Sequence, residues 1–367
     1  MDQLKIRGAQ KVQSETVLVM QGGGSLGAYE CEVYKTLAKR GIKFDIIAGT
    51  SIGAINVTVI VGSKNDADPA AQLEDFWLDV AEKITPSVLP DNLRCIVSAM
   101  YAASYGNLKA FEPLWFTISN PYGNFLSYYN RPYLYSTTPL KKSLSKYIDF
   151  AKLSNSDTRP RLVITSTDIQ KSESVTFDSK FMSIDTDHII ACAGFPFYGI
   201  AWTEKDGRYL WDGSLQSNTP FREVIDASPK YDKNVYIVDL FPRIQKELPE
   251  NMLDSWHRAR DIMHTDKTAN NIRMSKVISR YLTLLREMHD IISNVQLDDK
   301  MKESFREIEK EYHKLADKRG AIIKRITRIE RTEDVHFLFE DADFSIDTIK
   351  KLIKQGEKDA EDALATE

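Results

Sequence analysis

The stretch that most constrains this chain is Phe44-Asp45-Ile46-Ile47-Ala48-Gly49-Thr50-Ser51-Ile52-Gly53, which continues into Ala54 to Val61. A short apolar run enters a G-x-S-x-G turn, and the small and β-branched residues beyond it predict a helix. Strand, tight turn and helix in that order lift a serine hydroxyl above the end of a sheet. A Cβ at Gly49 or Gly53 would crowd the helix against the strand, so glycine is needed on both sides. Ser51 is the candidate nucleophile.

An earlier strand, Thr16-Val17-Leu18-Val19-Met20, leads into Gln21-Gly22-Gly23-Gly24-Ser25-Leu26-Gly27. Helical spacing of Leu26, Tyr29 or Glu30, Val33 and Leu37 follows, up to Gly41. Together with the Ser51 strand this is a βαβ unit, expected to have parallel strands and a right-handed crossover. The loop also matches G-x-G-x-x-G, which makes a nucleotide-binding enzyme one reading. In a dinucleotide fold an acidic residue closes the second strand; here Asp45 opens it, and Ser51 stands at the far end. The alternative use of the loop is as an oxyanion hole. Amides of Gly22, Gly23 and Gly24, backed by a helix N-terminus, would face the charge that develops beside Ser51.

The remainder bounds the problem. The chain has 367 residues, 42% of them hydrophobic and 28% charged, with a formal net charge of -4. That composition suits a globular protein and gives no global case for a nucleic-acid partner. Cys31, Cys95 and Cys192 lie far apart, which argues against a disulfide framework or a cysteine-built zinc site. Met1 to Glu15 lacks the apolar core of a signal peptide, and the longest apolar run, Ile52 to Val61, is too short to span a bilayer. The expectation is a cytoplasmic protein whose membrane contact, if it makes any, is peripheral.

Between Met100 and Tyr135 aromatics crowd together, among them Phe111, Trp115, Phe125, Tyr128, Tyr129 and Tyr135; they read as an acyl-chain channel, a flap or core filling. Arg161 to Thr167 is a further strand, with Ser174 to Phe177 as an antiparallel partner, and Val235 to Phe241 is another buried strand. From about Asn251 the composition turns charged and helical. Val277, Tyr281, Leu284, Met288 and Ile291 form one apolar stripe, and Phe305, Ile308, Tyr312 and Leu315 a second. A helical hairpin follows from that spacing, with self-association through it as a further possibility. Ala321 to Ile329 predicts a late strand, and Ser345 is placed as the N-cap of a final helix. Lys314, Lys318, Arg319, Lys324, Arg325, Arg328 and Arg331 are either a membrane-facing patch or ordinary solvated charge.

Ser51 needs a base. His188, His257, His264, His289, His313 and His336 have no strand-end glycine setting, and His257 with His264 has no clear third ligand for a metal. Asp212 follows the aromatic strand Arg208 to Trp211 and precedes Gly213. From there a partly desolvated carboxylate can act as base if it meets the serine directly.

Four segments in order, Gly22 to Gly27, Gly49 to Gly53, Ala191 to Pro196 and Asp212-Gly213-Ser214, resemble the patatin-like phospholipase family over about residues 15 to 245. The stretch Trp211 to Pro220 and the tail from Asp266 to Leu364 look like a bacterial subgroup with its own C-terminal extension. The resemblance implies a three-layer α/β/α hydrolase fold with a mostly parallel sheet. It makes Ser51 the nucleophile, Asp212 the base, and the amides of Gly22, Gly23, Gly24 and Ser25 the oxyanion hole. Gly27, Gly49, Gly53 and Gly213 are motif glycines. It implies a serine hydrolase of acyl-lipid esters that needs no cofactor and no metal. Leu26 stands where many members carry a basic residue, Ser214 where glycine or alanine is common, and Cys192 where serine is common. The expected division is a catalytic domain over 1–250 and a helical extension over 251–367, whose last strand and helix dock on the core. The competing readings are a soluble carboxylesterase or lysophospholipase, a nucleotide-binding enzyme, and a non-catalytic interaction protein.

Overall fold

A computed structural model describes residues 14–116, 132–154, 159–245, 248–332 and 339–365. The first half runs β1 (Ser14–Met20), α1 (Tyr29–Lys39), β2 (Ile46–Thr50), α2 (Ile52–Val61), α3 (Pro69–Val80) and α4 (Asp91–Tyr105). A small ribbon, β3 (Glu112–Pro113) with β4 (Tyr135–Ser136), precedes α5 (Thr138–Tyr147), β5 (Arg161–Asp168), β6 (Glu173–Asp178) and α6 (Thr186–Ala191). Next come β7 (Thr203–Lys205), β8 (Arg208–Asp212), α7 (Ser214–Ser217), α8 (Phe221–Ala227) and β9 (Asp232–Asp239). The chain closes with α9 (Met252–Ser293), α10 (Asp299–Arg319), β10 (Ile323–Glu330) and α11 (Ile346–Ala365).

The main sheet has the order β10-β9-β1-β2-β5-β8-β7, with β6 also on β5. From β10 to β5 every pairing is parallel, while β6, β7 and β8 are antiparallel additions. Alternation along the strands sets the layers. Val17, Val19, Ile46 and Ala48 pack with Phe221, Val224 and Ile272 on one face. Leu18, Met20 and Ile47 pack on the other with Tyr29, Trp77 and Leu352. The result is the α/β/α core, joined by an extensive helical C-terminal region.

That C-terminal region is tied into the core, most extensively through β10 and α11. β10 pairs in parallel with β9 at the sheet edge, Ile326 opposite Val235 and Ile329 opposite Val238. α11 lies on α1 so closely that a Cβ on Gly356 would collide with the Tyr29 carbonyl, and the Tyr29 hydroxyl donates to Asp359 at 3.2 Å. α9 starts at Asn251, whose side chain accepts from the amides of Leu253 and Asp254, both at 3.0 Å. α10 folds back on α9 with the Tyr312 ring stacked on His289, centroids 4.0 Å apart. The predicted stripe is no seam here: Tyr281, Leu284, Met288 and Ile291 are exposed. α11 begins directly after Ser345, but the Ser345 hydroxyl is buried without a partner; Asp343 instead accepts the Ser345 amide at 2.9 Å and the Thr348 hydroxyl at 2.6 Å.

The basic run is largely dispersed into ion pairs. Lys314 pairs with Glu311, Lys324 with Asp232, Arg328 with Asp239, and Arg331 with Glu340. Among the described residues, no helix is long and apolar enough to cross a membrane.

Candidate active site

β2 ends at Thr50 and α2 begins at Ile52, so Ser51 alone makes the turn, with φ 55. A positive φ outside glycine is strained by about 1–3 kcal/mol and persists only where packing dictates it. Here it does. A Cβ on Gly49 would strike the Gly53 carbonyl, and one on Gly53 would lie 2.5 Å from the Met20 carbonyl oxygen. A Cβ on Gly27 would lie 2.5 Å from Ile52 Cγ1, which brings the glycine loop against the same helix. α2 is buried all round, and Asn56 within it donates to the Gly27 carbonyl at 2.9 Å and to Glu30 at 2.7 Å.

The second carboxylate arrives through an exchange of strand partners. Along one edge β5 pairs with β2 through Thr165, and from Ser166 onward it pairs with β8. Its other edge is held by β6 from Val163 to Asp168. β8 therefore stands over the C-terminal end of β2, and Asp212 at its tip meets Ser51. The Ser51 hydroxyl donates to Asp212 Oδ2 at 2.5 Å, and the Ser214 amide donates to Oδ1 at 2.8 Å. Gly213 turns the chain away, in a place where a Cβ would lie 2.5 Å from the Thr165 carbonyl oxygen. Complete burial pushes the Asp212 carboxyl up to about 6, against the opposing pull of the hydrogen bonds from Ser51 and Ser214.

The glycine loop crosses beside this pair, with Gly22 so close that a Cβ there would lie 2.8 Å from Ser51 Cβ. The Gly22 amide donates to the Asn218 carbonyl and the Asn218 side-chain amide donates to the Gly22 carbonyl, both at 3.1 Å. The Gly22 N–H is thus engaged with Asn218, which makes Gly22 an anchor of the loop. Among the described residues, the Gly23 and Gly24 amides have no hydrogen-bond acceptor. Ser25 is fully buried and its hydroxyl donates to the Glu340 carbonyl at 2.8 Å. Strand, glycine loop, elbow and aspartate stand together in one unit.

The patatin-like phospholipase family model matches residues 18–225. The chain belongs to the patatin-like phospholipase family. Proteins of this superfamily act on lipid esters. No curated protein matches the chain. Among solved structures, the crystal structure of VipD from Legionella pneumophila aligns at 12% identity over 98% of this chain and 67% of that chain, with a TM-score of 0.36.

In this patatin-like protein, Ser51, Asp212 and Gly22 to Gly24 line the polar end of a cavity of about 370 Å³. Ile55, Trp77, Phe111, Tyr135, Leu140 and Phe344 make much of the rest apolar. Of the aromatic stretch, Phe111 and Tyr135 thus face the cavity with rings 5.4 Å apart, whereas Phe125, Tyr128 and Tyr129 lie outside the described residues.

The extension supplies a wall of the same cavity, including Arg260, His264, Phe339 and Asp341. A Cβ on Gly24, which has φ +58, would run into the Asp341 carbonyl. Arg260 pairs with Asp341 at 2.5 Å, and the Tyr198 hydroxyl donates to the same carboxylate at 2.6 Å. Burial alone would raise the Asp341 carboxyl; the Arg260 charge and these hydrogen bonds outweigh it and hold it below the usual carboxylate range. Sequence reasoning gave no role to Asn218, Arg260 or Asp341. No spacing signal could link them, since Asn218, Arg260 and Asp341 reach this site from distant parts of the chain.

The histidines and cysteines take other parts. His257 lies against Arg260 at 2.8 Å, and His264 stacks on Phe241 with centroids 5.0 Å apart. Cys192 is fully buried, donates to the His188 carbonyl at 3.2 Å, and has its thiol pushed up by desolvation, as befits packing.

Proposed function

We propose that this protein is a serine acyl hydrolase that cleaves carboxylic esters of an acyl lipid through a Ser51–Asp212 dyad. The observation that carries the reading is the 2.5 Å contact from the Ser51 hydroxyl to a buried carboxylate at the polar end of an apolar cavity. Asp212 takes the Ser51 proton as the oxygen attacks the ester carbonyl. The tetrahedral oxyanion is met by the amides of Gly23 and Gly24. Collapse expels the alcohol, which receives the proton from Asp212, and leaves an acyl-enzyme. Asp212 then deprotonates a water that attacks the acyl group; the acyl–Oγ bond breaks, Ser51 takes the proton back from Asp212, and the carboxylic acid leaves. The apolar cavity wall suits the acyl chain.

The test is hydrolysis of short- and long-chain nitrophenyl esters and of phospholipid vesicles by wild type, Ser51→Ala and Asp212→Asn. Ser51→Ala is expected to lower turnover by about 10⁴-fold or more with the fold intact by circular dichroism. Full turnover in Ser51→Ala would overturn the dyad. A preference for short monomeric esters, with no gain on vesicles, would favour the small-esterase reading over lipid hydrolysis.

A further inference from the structure

On the C-terminal hairpin, α9 and α10 bring His289, Glu309 and His313 together so that one ligand atom from each lies within 4.8 Å of the others. We propose that these three side chains form a zinc-type divalent-cation site that clips the two helices together.

The arrangement has the parts such a site needs. Glu309 and His313 are four residues apart on α10, which puts them on one helical face. His289 comes from α9, so an ion held by all three would be a cross-link between elements. The His289 ring is already oriented. It stacks on Tyr312 at an interplanar angle of 11°, and its Nδ1 lies 3.8 Å from Asp290 Oδ1. The other nitrogen, Nε2, is buried with no hydrogen-bond partner. Leaving a buried polar atom unsatisfied is unfavourable, and a bound cation would remove that cost. Among the described residues, neither Glu309 nor His313 has a hydrogen bond or ion pair that would compete.

The donor set selects the ion. Two imidazole nitrogens and one carboxylate oxygen suit zinc, whereas magnesium and calcium favour all-oxygen sets. Zinc–nitrogen bonds of about 2.0–2.1 Å place tetrahedral ligand atoms about 3.4 Å apart, a closure within reach of small rotamer changes. His313 is exposed, so the fourth position would open to water. Such a clip has a clear physical purpose, because α10 is exposed along most of its length and its described ring contacts to α9 run through His289. A helix with so little buried surface depends on tertiary ties for its stability.

The experiment uses the full chain, stripped with a chelator and titrated with Co²⁺ alone as a spectroscopic probe, followed by displacement with Zn²⁺. One equivalent should give visible ligand-field absorption of the four-coordinate kind, and Zn²⁺ should raise Tm. His313→Ala, at an exposed position where folding is not at risk, should weaken Co²⁺ binding by about 100-fold or more and abolish the Tm rise. His289→Ala should do the same, and Ser51→Ala should bind as the wild type does. Absence of Co²⁺ absorption, or binding unchanged in both histidine variants, would overturn the site.

Discussion

The two walls of the cavity contribute to stability with opposite signs. On the sheet side, Ser51 is held at φ 55 and Asp212 is buried with its carboxyl raised to about 6. Both are states that the surrounding packing imposes against local preference. On the extension side, Arg260 and Asp341 are buried and Tyr198 half-buried, and charge meets countercharge at 2.5 Å with the Tyr198 hydroxyl bonded to both at 2.6–3.0 Å, leaving only Arg260 Nε and Asp341 Oδ1 without a hydrogen bond among the described residues. The difference separates groups held for chemistry from groups held for support: removing the former should relieve the fold, and removing one of the latter should strain it.

The largest effect is expected on the support side. Arg260→Met leaves two buried carboxylates, Asp341 beside Gly24 and Asp261 on α9, without their shared guanidinium. Breaking a buried pair by removing one partner costs about 3–5 kcal/mol, readable as a lowered denaturant midpoint. Adding Asp341→Asn removes one of the two stranded charges while keeping an acceptor for Tyr198, and should recover part of the loss. Turnover should fall in Arg260→Met as well, because the Asp341 main chain abuts the glycine loop. A neutral Arg260→Met would break the comparison, since the extension would then not brace the cavity.

The next effect has the opposite sign. The folded-state carboxyl of Asp212 titrates at about 6, above the ordinary value of 3.8. The folded protein therefore binds more protons than the unfolded chain between those pH values, and stability falls as pH rises through that window. At neutral pH the ionised carboxylate costs roughly 3 kcal/mol, an amount Asp212→Asn should return as a raised midpoint. Activity should move the other way: kcat/KM should fall about tenfold per pH unit below 6, and Asp212→Asn should be inactive at every pH. A destabilised Asp212→Asn at neutral pH would remove the sign difference between the two walls.

What the sequence made legible follows the same division. The elbow could be read because its parts are contiguous: Gly49, Ser51 and Gly53 lie within five residues, and the steric collisions expected of a Cβ at either glycine are those the fold contains. The glycine loop, the alternating strands and the late strand were equally local. Asp212 needed the family resemblance, since an Asp-Gly after a strand is ordinarily a turn. The partner exchange along β5 that carries it to Ser51 is a property of pairing, invisible in the residues of β8. Arg260 and Asp341 were illegible because an ion pair between two helical or irregular segments leaves no periodic trace. The engagement of the Gly22 amide was illegible for the same reason, as Asn218 reaches it from the far side of the chain.

The smallest prediction tests strain at the elbow itself. Ser51 has a backbone that glycine adopts freely, and among the described residues its hydroxyl hydrogen-bonds to Asp212. Ser51→Ala keeps the positive φ on a residue with a Cβ, whereas Ser51→Gly removes the Cβ that makes it unfavourable. Both lose the hydrogen bond to Asp212, so that loss cancels when the two are compared. Ser51→Gly should therefore be more stable than Ser51→Ala by about 1 kcal/mol in urea melts run side by side. The greater entropy of an unfolded glycine works against this difference, so a net gain means the strain exceeds it. Equal midpoints would mean that the turn at Ser51 carries little stored strain, and the sheet-side penalty would then rest on the buried charge of Asp212 alone.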